Sequence, residues 1–339
     1  MKIILSGYHN PHFETITEYI EDAIIALGYG LTVFNDRQHI IPGRIRRRIR
    51  FLHHFDLMHI NNAFISFADK VKPDIVIIAG GHRITSDTIK KIKEKGIVPV
   101  LWTVDAPSDF QPIVAAAPFY DHIFCQGTEA IALLEQAGIT GASWLPMGCS
   151  PLHHYPVKLT PVERESGMDV VFVGSNYTVR QELFEQLVDF DFGIWGPGWE
   201  KLPIDSPLRS CIKGGALKPE EWLKIYSSSK IVLSTHYQEP NGRFPVYQAS
   251  PRVFEALACK AFLIVDRQKD VFSLFNDHEH LVGYDDAADL RKKITYYLEH
   301  SMERNKIAQN GHNYVLSKHT YEDRIREMLS IIKTTTMRG

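Results

Sequence analysis

The strongest constraint on how this chain can fold is an alternation that runs its whole length. Short apolar runs recur along it, separated by segments whose apolar residues fall at helical spacing. In the first half the runs fall at 2–6, 31–34, 74–79, 98–104 and 122–125, and the helical patterns at 15–27, 43–52, 63–71, 86–94 and 128–137. Gly138 stands where the last of these helices needs a C-terminal cap. The second half repeats the scheme with runs at 169–173, 192–195, 231–234 and 261–265, and with helices at 180–187, 219–228, 251–259, 287–299 and twice more over 303–332. Strands separated by helices pair in parallel, so the sequence predicts βαβ units and an α/β fold.

The chain has 339 residues, more than one compact domain of this kind usually holds, and its 44% apolar content can fill two cores. Periodicity fails between Trp144 and about Gly167, where Pro146, Gly148, Pro151, Pro156 and Pro161 punctuate the sequence. The expected division is an N-terminal domain over 1–150, a linker over 151–167 and a C-terminal domain over 168–339 that includes the terminal helices. Two such halves facing each other enclose a deep cleft. Open parallel sheets bind ligands outside the carboxyl ends of their strands, so the loops after the strands are where chemistry is expected.

Lys and Arg number 38 against 40 for Asp and Glu, a formal charge of -2 that offers no global attraction to nucleic acid. The four cysteines, Cys125, Cys149, Cys211 and Cys259, form no C-x-x-C pair and read as reduced thiols. The first apolar run gives way to Ser6 and Gly7 before it reaches the length of a signal-peptide core, and no later run reaches that of a membrane span. A cytoplasmic location is therefore expected.

Two segments carry chemistry. In Ser250-Pro251-Arg252-Val253-Phe254-Glu255, serine at the cap and proline at the first position mark a helix start. Free amides near Arg252 and Val253, the positive end of the helix dipole and the Arg252 guanidinium together suit a diphosphate, while Glu255 one turn on suits ribose hydroxyls. An ordinary capped helix with a surface Arg–Glu pair is the alternative. In Val171-Phe172-Val173-Gly174-Ser175-Asn176, a buried run ends in small residues and is followed by Arg180, a pattern that lets phosphate approach the backbone beside a cation.

These segments, with Lys230-Ile231-Val232-Leu233-Ser234, resemble the spore-maturation CgeB-like glycosyltransferases. So do Lys72-Pro73-Asp74-Ile75-Val76-Ile77, Trp102-Thr103-Val104-Asp105-Ala106-Pro107 and Leu145-Pro146-Met147-Gly148 in the N-terminal half. The resemblance implies the GT-B fold, two facing Rossmann-like, doubly wound domains. In that fold the nucleotide sugar lies mainly on the C-terminal domain and the acceptor mainly on the N-terminal one. It further implies that Gly174, Ser175 and Arg180 line the diphosphate, that Arg252 and Val253 meet it from the other side, and that Glu255 binds ribose. The base is expected near Lys213, Gly215, Ala216 and Leu217, and His236 is expected over the donor sugar. Related retaining enzymes often carry a second Glu eight residues before the ribose one, where this chain has Tyr247. The family also favours glycine at the position of Lys260.

In the N-terminal half Asp105 follows the run 98–104 and is the expected base for the acceptor hydroxyl, with capping before Pro107 as its alternative role. His9, with His12 in the same loop and His82 after Gly80-Gly81, is a second candidate. Arg44, Arg46, Arg47, Arg48 and Arg50 alternate with Ile45, Ile49 and Leu52 at helical spacing, giving either a solvated amphipathic helix or a contact for an anionic acceptor or membrane surface. The expected activity is transfer from a nucleotide diphosphate sugar to a hydroxyl of a carbohydrate, glycoprotein or cell-envelope acceptor, with no essential metal or cofactor. A nucleotide-sugar epimerase and a binding protein without catalysis are the rival readings, and sugar, base, acceptor, stereochemical outcome and oligomeric state are left open.

Overall fold

The structure, a computed structural model, describes residues 1–10, 14–39, 41, 48–104, 110–238 and 244–336. It divides into two compact units. The first runs over Met1–Pro146 and includes the terminal helix Tyr321–Thr336; the second is Met147–Thr320.

In the first unit strands and helices alternate as β1 (Lys2–Gly7), α1 (Ile16–Ala26), β2 (Gly30–Asn35), α2 (Arg50–Val71), β3 (Ile75–Ala79), α3 (Ser86–Glu94), β4 (Val98–Thr103), α4 (Gln111–Ala116), β5 (His122–Cys125), α5 (Thr128–Gln136) and β6 (Ser143–Trp144). The described strands form one parallel sheet in the order β2-β1-β3-β4-β5-β6. Ile4 pairs with Thr32 on one side and with Val76 on the other, so the winding of the chain reverses between β1 and β3. Ile75 to Ile78 are all buried, as a parallel strand covered by helices on both faces requires. Ile4, Phe64, Val76, Ile89, Ile92 and Leu101 belong to the core between sheet and helices.

Two expectations change here. The helices predicted at 43–52 and 63–71 are one element as far as they are described, α2, because no glycine or proline interrupts the sequence from Arg50 to Val71. Residues 42–47 lie outside the described residues. The terminal helix, expected with the C-terminal domain, packs in the first unit. Its Tyr321, Ile325, Met328 and Leu329 are buried, and the Tyr321 ring lies 5.8 Å from that of Tyr19 on α1. Its amphipathic pattern states that it needs an apolar partner but not which sheet supplies one.

The second unit begins at Met147, four residues before the stretch expected as a linker, and takes in that stretch with its helix α6 (Pro161–Glu165). It continues as β7 (Val170–Val173), α7 (Thr178–Phe184), β8 (Phe192–Trp195), β9 (Ile212–Gly214), α8 (Pro219–Ser228), β10 (Ile231–Ser234), α9 (Pro251–Ala258), β11 (Leu263–Asp266), α10 (Lys269–Leu274), β12 (Val282–Tyr284), α11 (Ala287–Glu299) and α12 (Ser301–Lys318). Its parallel sheet has the order β12-β11-β10-β7-β8-β9, and Val232 pairs with Leu263 and with Val171. The winding therefore reverses between β7 and β10. The protein is α/β with two doubly wound sheets. No described helix is long and apolar enough to cross a membrane. The four cysteines are buried, and none of them forms a disulfide.

Candidate functional site

The reversal between β7 and β10 opens a crevice outside their carboxyl ends, where an open parallel sheet offers room for a ligand. Gly174 and Ser175 leave β7 there, and Thr235 and His236 leave β10. Arg180, the third residue of α7, ties the two loops together: Nη1 donates to Ser175 O at 2.7 Å and Nη2 to Thr235 O at 2.6 Å. Its side chain is buried, and its Nε has no hydrogen-bond partner. Burial first, and the neighbouring Arg252 second, push this guanidinium down to about 9. A cavity of about 420 Å³ beside it is lined by Asn176, Tyr177, Arg180, Lys201 and His236 among others.

Arg252 reaches the same place from α9. Its Nε donates to Val173 O at 2.8 Å, and its guanidinium carbon lies 5.0 Å from the centroid of the Phe172 ring. The Arg180 guanidinium lies 5.0 Å from that ring as well. A Cβ at Gly174 would come within 2.4 Å of Arg252 Nη2, so only glycine leaves room for the guanidinium against the loop. Both guanidiniums are bonded to backbone carbonyls rather than to carboxylates. Two cations sharing one aromatic ring repel each other, and an anion set between them offsets that repulsion. Glu255 stands one turn along α9. It keeps some exposed surface, yet burial of the carboxyl pushes it up to about 7 against the opposing effect of Arg252.

The start of α9 is fixed by a chain of hydrogen bonds that begins two strands away. Ser250 is the N-cap, but its hydroxyl caps nothing and is buried without a partner. Its N–H donates instead to His236 Nε2 at 2.9 Å. His236 Nδ1 lies 2.6 Å from Asp266 Oδ1, and the same carboxylate accepts from the His236 N–H. An acceptor at Nε2 puts the ring proton on Nδ1, so Asp266 receives it. Burial raises the Asp266 carboxyl, but its interactions with His236 and the hydrogen bond from Gln268 outweigh this and hold it below the usual range.

Several expected residues stand differently. The Val253 amide donates to Ser250 O at 3.0 Å and the residue is fully buried, so it is not offered to a phosphate; the first turn of α9 closes tightly on itself. His236 has both ring nitrogens engaged within the fold rather than held out to a sugar. Lys213 lies on the edge strand β9 with Nζ donating to Ser210 O at 3.0 Å, and Gly215 and Ala216 are exposed in the following loop with Leu217 half-buried. Tyr247 accepts the Asp270 N–H on its carbonyl, and its ring lies 5.1 Å from Lys269 Nζ. His9 Nε2 is bonded to Glu21 on α1. His82 is exposed after Gly80 and Gly81, both in the left-handed region. Asp105, His12, Arg44, Arg46 and Arg47 lie outside the described residues. Asp266 and Phe172 were not singled out in the sequence, although an acidic residue closing an apolar run such as Leu263–Asp266 is a legible signal for the carboxyl end of a parallel strand.

Residues 179–330 match the glycosyl transferase-like family Glyco_trans_1_2. The spore protein CgeB of Bacillus subtilis is 20% identical over 264 residues, covering 74% of this chain and 80% of that protein. Among solved structures, sucrose-phosphate synthase from Thermosynechococcus elongatus superposes with a TM-score of 0.70 at 14% identity over all of both chains. HepE from Anabaena, in complex with UDP and glucose, gives 0.66 at 12% identity over 98% of this chain and 100% of that one. The match over residues 179–330 covers most of the second unit and is glycosyl transferase-like, the similarity to CgeB runs over most of the chain, and the superpositions together with the two doubly wound sheets give the GT-B fold.

Proposed function

We propose that the chain transfers a glycosyl group from a nucleotide diphosphate sugar, held by the second unit, to a hydroxyl of a carbohydrate, glycoprotein or cell-envelope acceptor held by the first. The observation that carries this reading is the pair of guanidiniums, Arg180 and Arg252, packed on the Phe172 ring beside Gly174. As the bond from the anomeric carbon to the diphosphate breaks, its electron pair and charge pass to the phosphate oxygen. Fixed cations in a partly buried crevice stabilise that charge more than they stabilise the intact donor. Glu255, one turn from Arg252, is the proposed acceptor for ribose hydroxyls, with Lys213 to Leu217 beside the base. HepE was solved with UDP and glucose, and a uracil nucleotide is the first donor to test.

In this reading the cations replace a metal, and Asp105, two residues beyond β4, takes the proton of the attacking hydroxyl. The enzyme works in the cytoplasm. Its arginine-rich segment 44–50 meets an anionic membrane surface, together with the exposed Phe51, Phe55 and Met58 that follow at helical spacing on α2. The test is product analysis with a panel of nucleotide sugars in EDTA, with and without acceptor. Release of nucleoside diphosphate in EDTA supports the proposal. Interconversion of the donor sugar without nucleotide release supports an epimerase, and activity that returns only with Mg²⁺ or Mn²⁺ overturns the metal-free reading.

A further inference from the structure

The first unit has its own winding reversal, between β1 and β3, and a crevice of about 280 Å³ lies at that point. Gly7, Tyr8, Thr17, Gly80 and Asp36 line it. Asp36 directly follows β2 and is 7% exposed. Ser6 Oγ, at 3.2 Å, is its one side-chain donor among the described residues. A carboxylate has about four acceptor positions, and burying it with so few filled is unfavourable unless a ligand supplies donors. The strain of this burial is visible in its acidity, pushed up to about 6. Sugar hydroxyls are such donors, whereas a fully ionised phosphate has none and would be repelled. The crevice by itself therefore suits a neutral, hydroxylated ring.

A second cavity, about 640 Å³, shares Arg37, His82 and Arg83 with the crevice. It adds His39, His53 and the start of α3 at Thr85 and Ser86, and none of its described lining residues is a carboxylate. Arg83 Nη2 is held at 3.1 Å by the buried Asp56, which aims the guanidinium. Arg37 is exposed, stacked 4.9 Å from the centroid of the Tyr8 ring. No side chain caps the start of α3, whose first turn carries Asp87, so the positive charge of this cavity comes from the two guanidiniums. This cavity suits an anion.

We propose that the first unit binds a sugar phosphate, with ring hydroxyls on Asp36 in the crevice and the phosphate on Arg37 and Arg83 in the adjoining cavity. The residues that join the two cavities are the ones that would meet the bond between ring and phosphate. The site stands on these residues alone; only its role as the acceptor site rests on the glycosyltransferase function proposed above.

Calorimetry on the full chain tests the site without any transfer reaction. Glucose 6-phosphate, fructose 6-phosphate and mannose 6-phosphate are titrated separately, with glucose and inorganic phosphate as partial ligands and UDP-glucose as a separate arm. At least one hexose phosphate is expected to bind about tenfold more tightly than either partial ligand. Arg37→Gln and Asp36→Asn are each expected to weaken it about tenfold, while UDP-glucose affinity stays within twofold of the parent. Arg37 is exposed, so its variant keeps the test open even where the buried Asp36 variant folds poorly. Hexose phosphates binding no better than inorganic phosphate, or binding unchanged in Arg37→Gln, would overturn the proposal. Failure of the UDP-glucose arm alone would count against the donor site and leave this one standing.

Discussion

At the scale of single residues, the proposed donor site turns on charges that the fold holds close together at some expense. Glu255 has its carboxyl pushed up to about 7 from an ordinary value of 4.5, chiefly by burial. Between those two values the folded chain keeps a proton that the unfolded chain has released. Stability therefore falls as pH rises across that window, by up to about 1.4 kcal/mol per pH unit from this group, and the loss is complete above the folded value. Glu255→Gln removes the titration, so urea denaturation of that variant at pH 5 and pH 7.5 is expected to show a smaller drop than the parent shows. An equal drop would mean that Glu255 ionises normally. The helix start that carries Arg252 and Glu255 and the strand end at Gly174 were legible in the sequence, because a Ser-Pro helix start and a strand ending in small residues are local patterns. The roles of His236 and Asp266 were not. Their hydrogen bonds join residues 14 and 30 positions apart, and no local pattern records such a pairing.

At the scale of elements, neither end of α9 is capped by a side chain of its own: the Ser250 N–H donates to the His236 ring, and the C-terminus closes on the helix's own backbone. Its C-terminus is a Schellman turn: Ala261 N–H donates to Ala256 O at 3.0 Å and Lys260 N–H to Leu257 O at 2.9 Å. That turn requires a left-handed residue, and Lys260 occupies it at φ 58°. The resemblance implied glycine at this position, and the left-handed backbone is a geometry that glycine adopts without strain. Lys260→Gly is expected to raise stability by about 1 kcal/mol, less the entropy glycine adds to the unfolded chain, as read by urea denaturation. A loss of stability would show that the lysine side chain makes a contact outweighing the strain. Most of the longer strands and helices were predicted within a residue or two, but α2 was split in two and the ends of α7 and the terminal helix were misplaced by more. The three-residue edge strands β9 and β12 were not, because so short a run cannot display a period.

At the scale of the whole molecule, the sequence showed two α/β halves but assigned the last helix to the wrong one. The chain leaves the first unit at Pro146 and comes back to it at Tyr321, so that unit is discontinuous in sequence. Ile325 and Met328 are fully buried there, and replacing either with Ala is expected to cost about 2–5 kcal/mol. The loss should appear in hydrogen exchange of β1 and α1, which share the first unit with that helix. Loss confined to the second unit would contradict the assignment. The central claim is that the second unit holds a nucleotide diphosphate through Arg252 at the reversal between β7 and β10. Calorimetric titration of UDP into the parent chain and into Arg252→Ala, both in EDTA, tests it most directly. The account predicts binding to the parent without a metal and a loss of about 1.5–3 kcal/mol, roughly ten- to two-hundredfold, in a variant that remains folded. Equal affinity in the two proteins would contradict it.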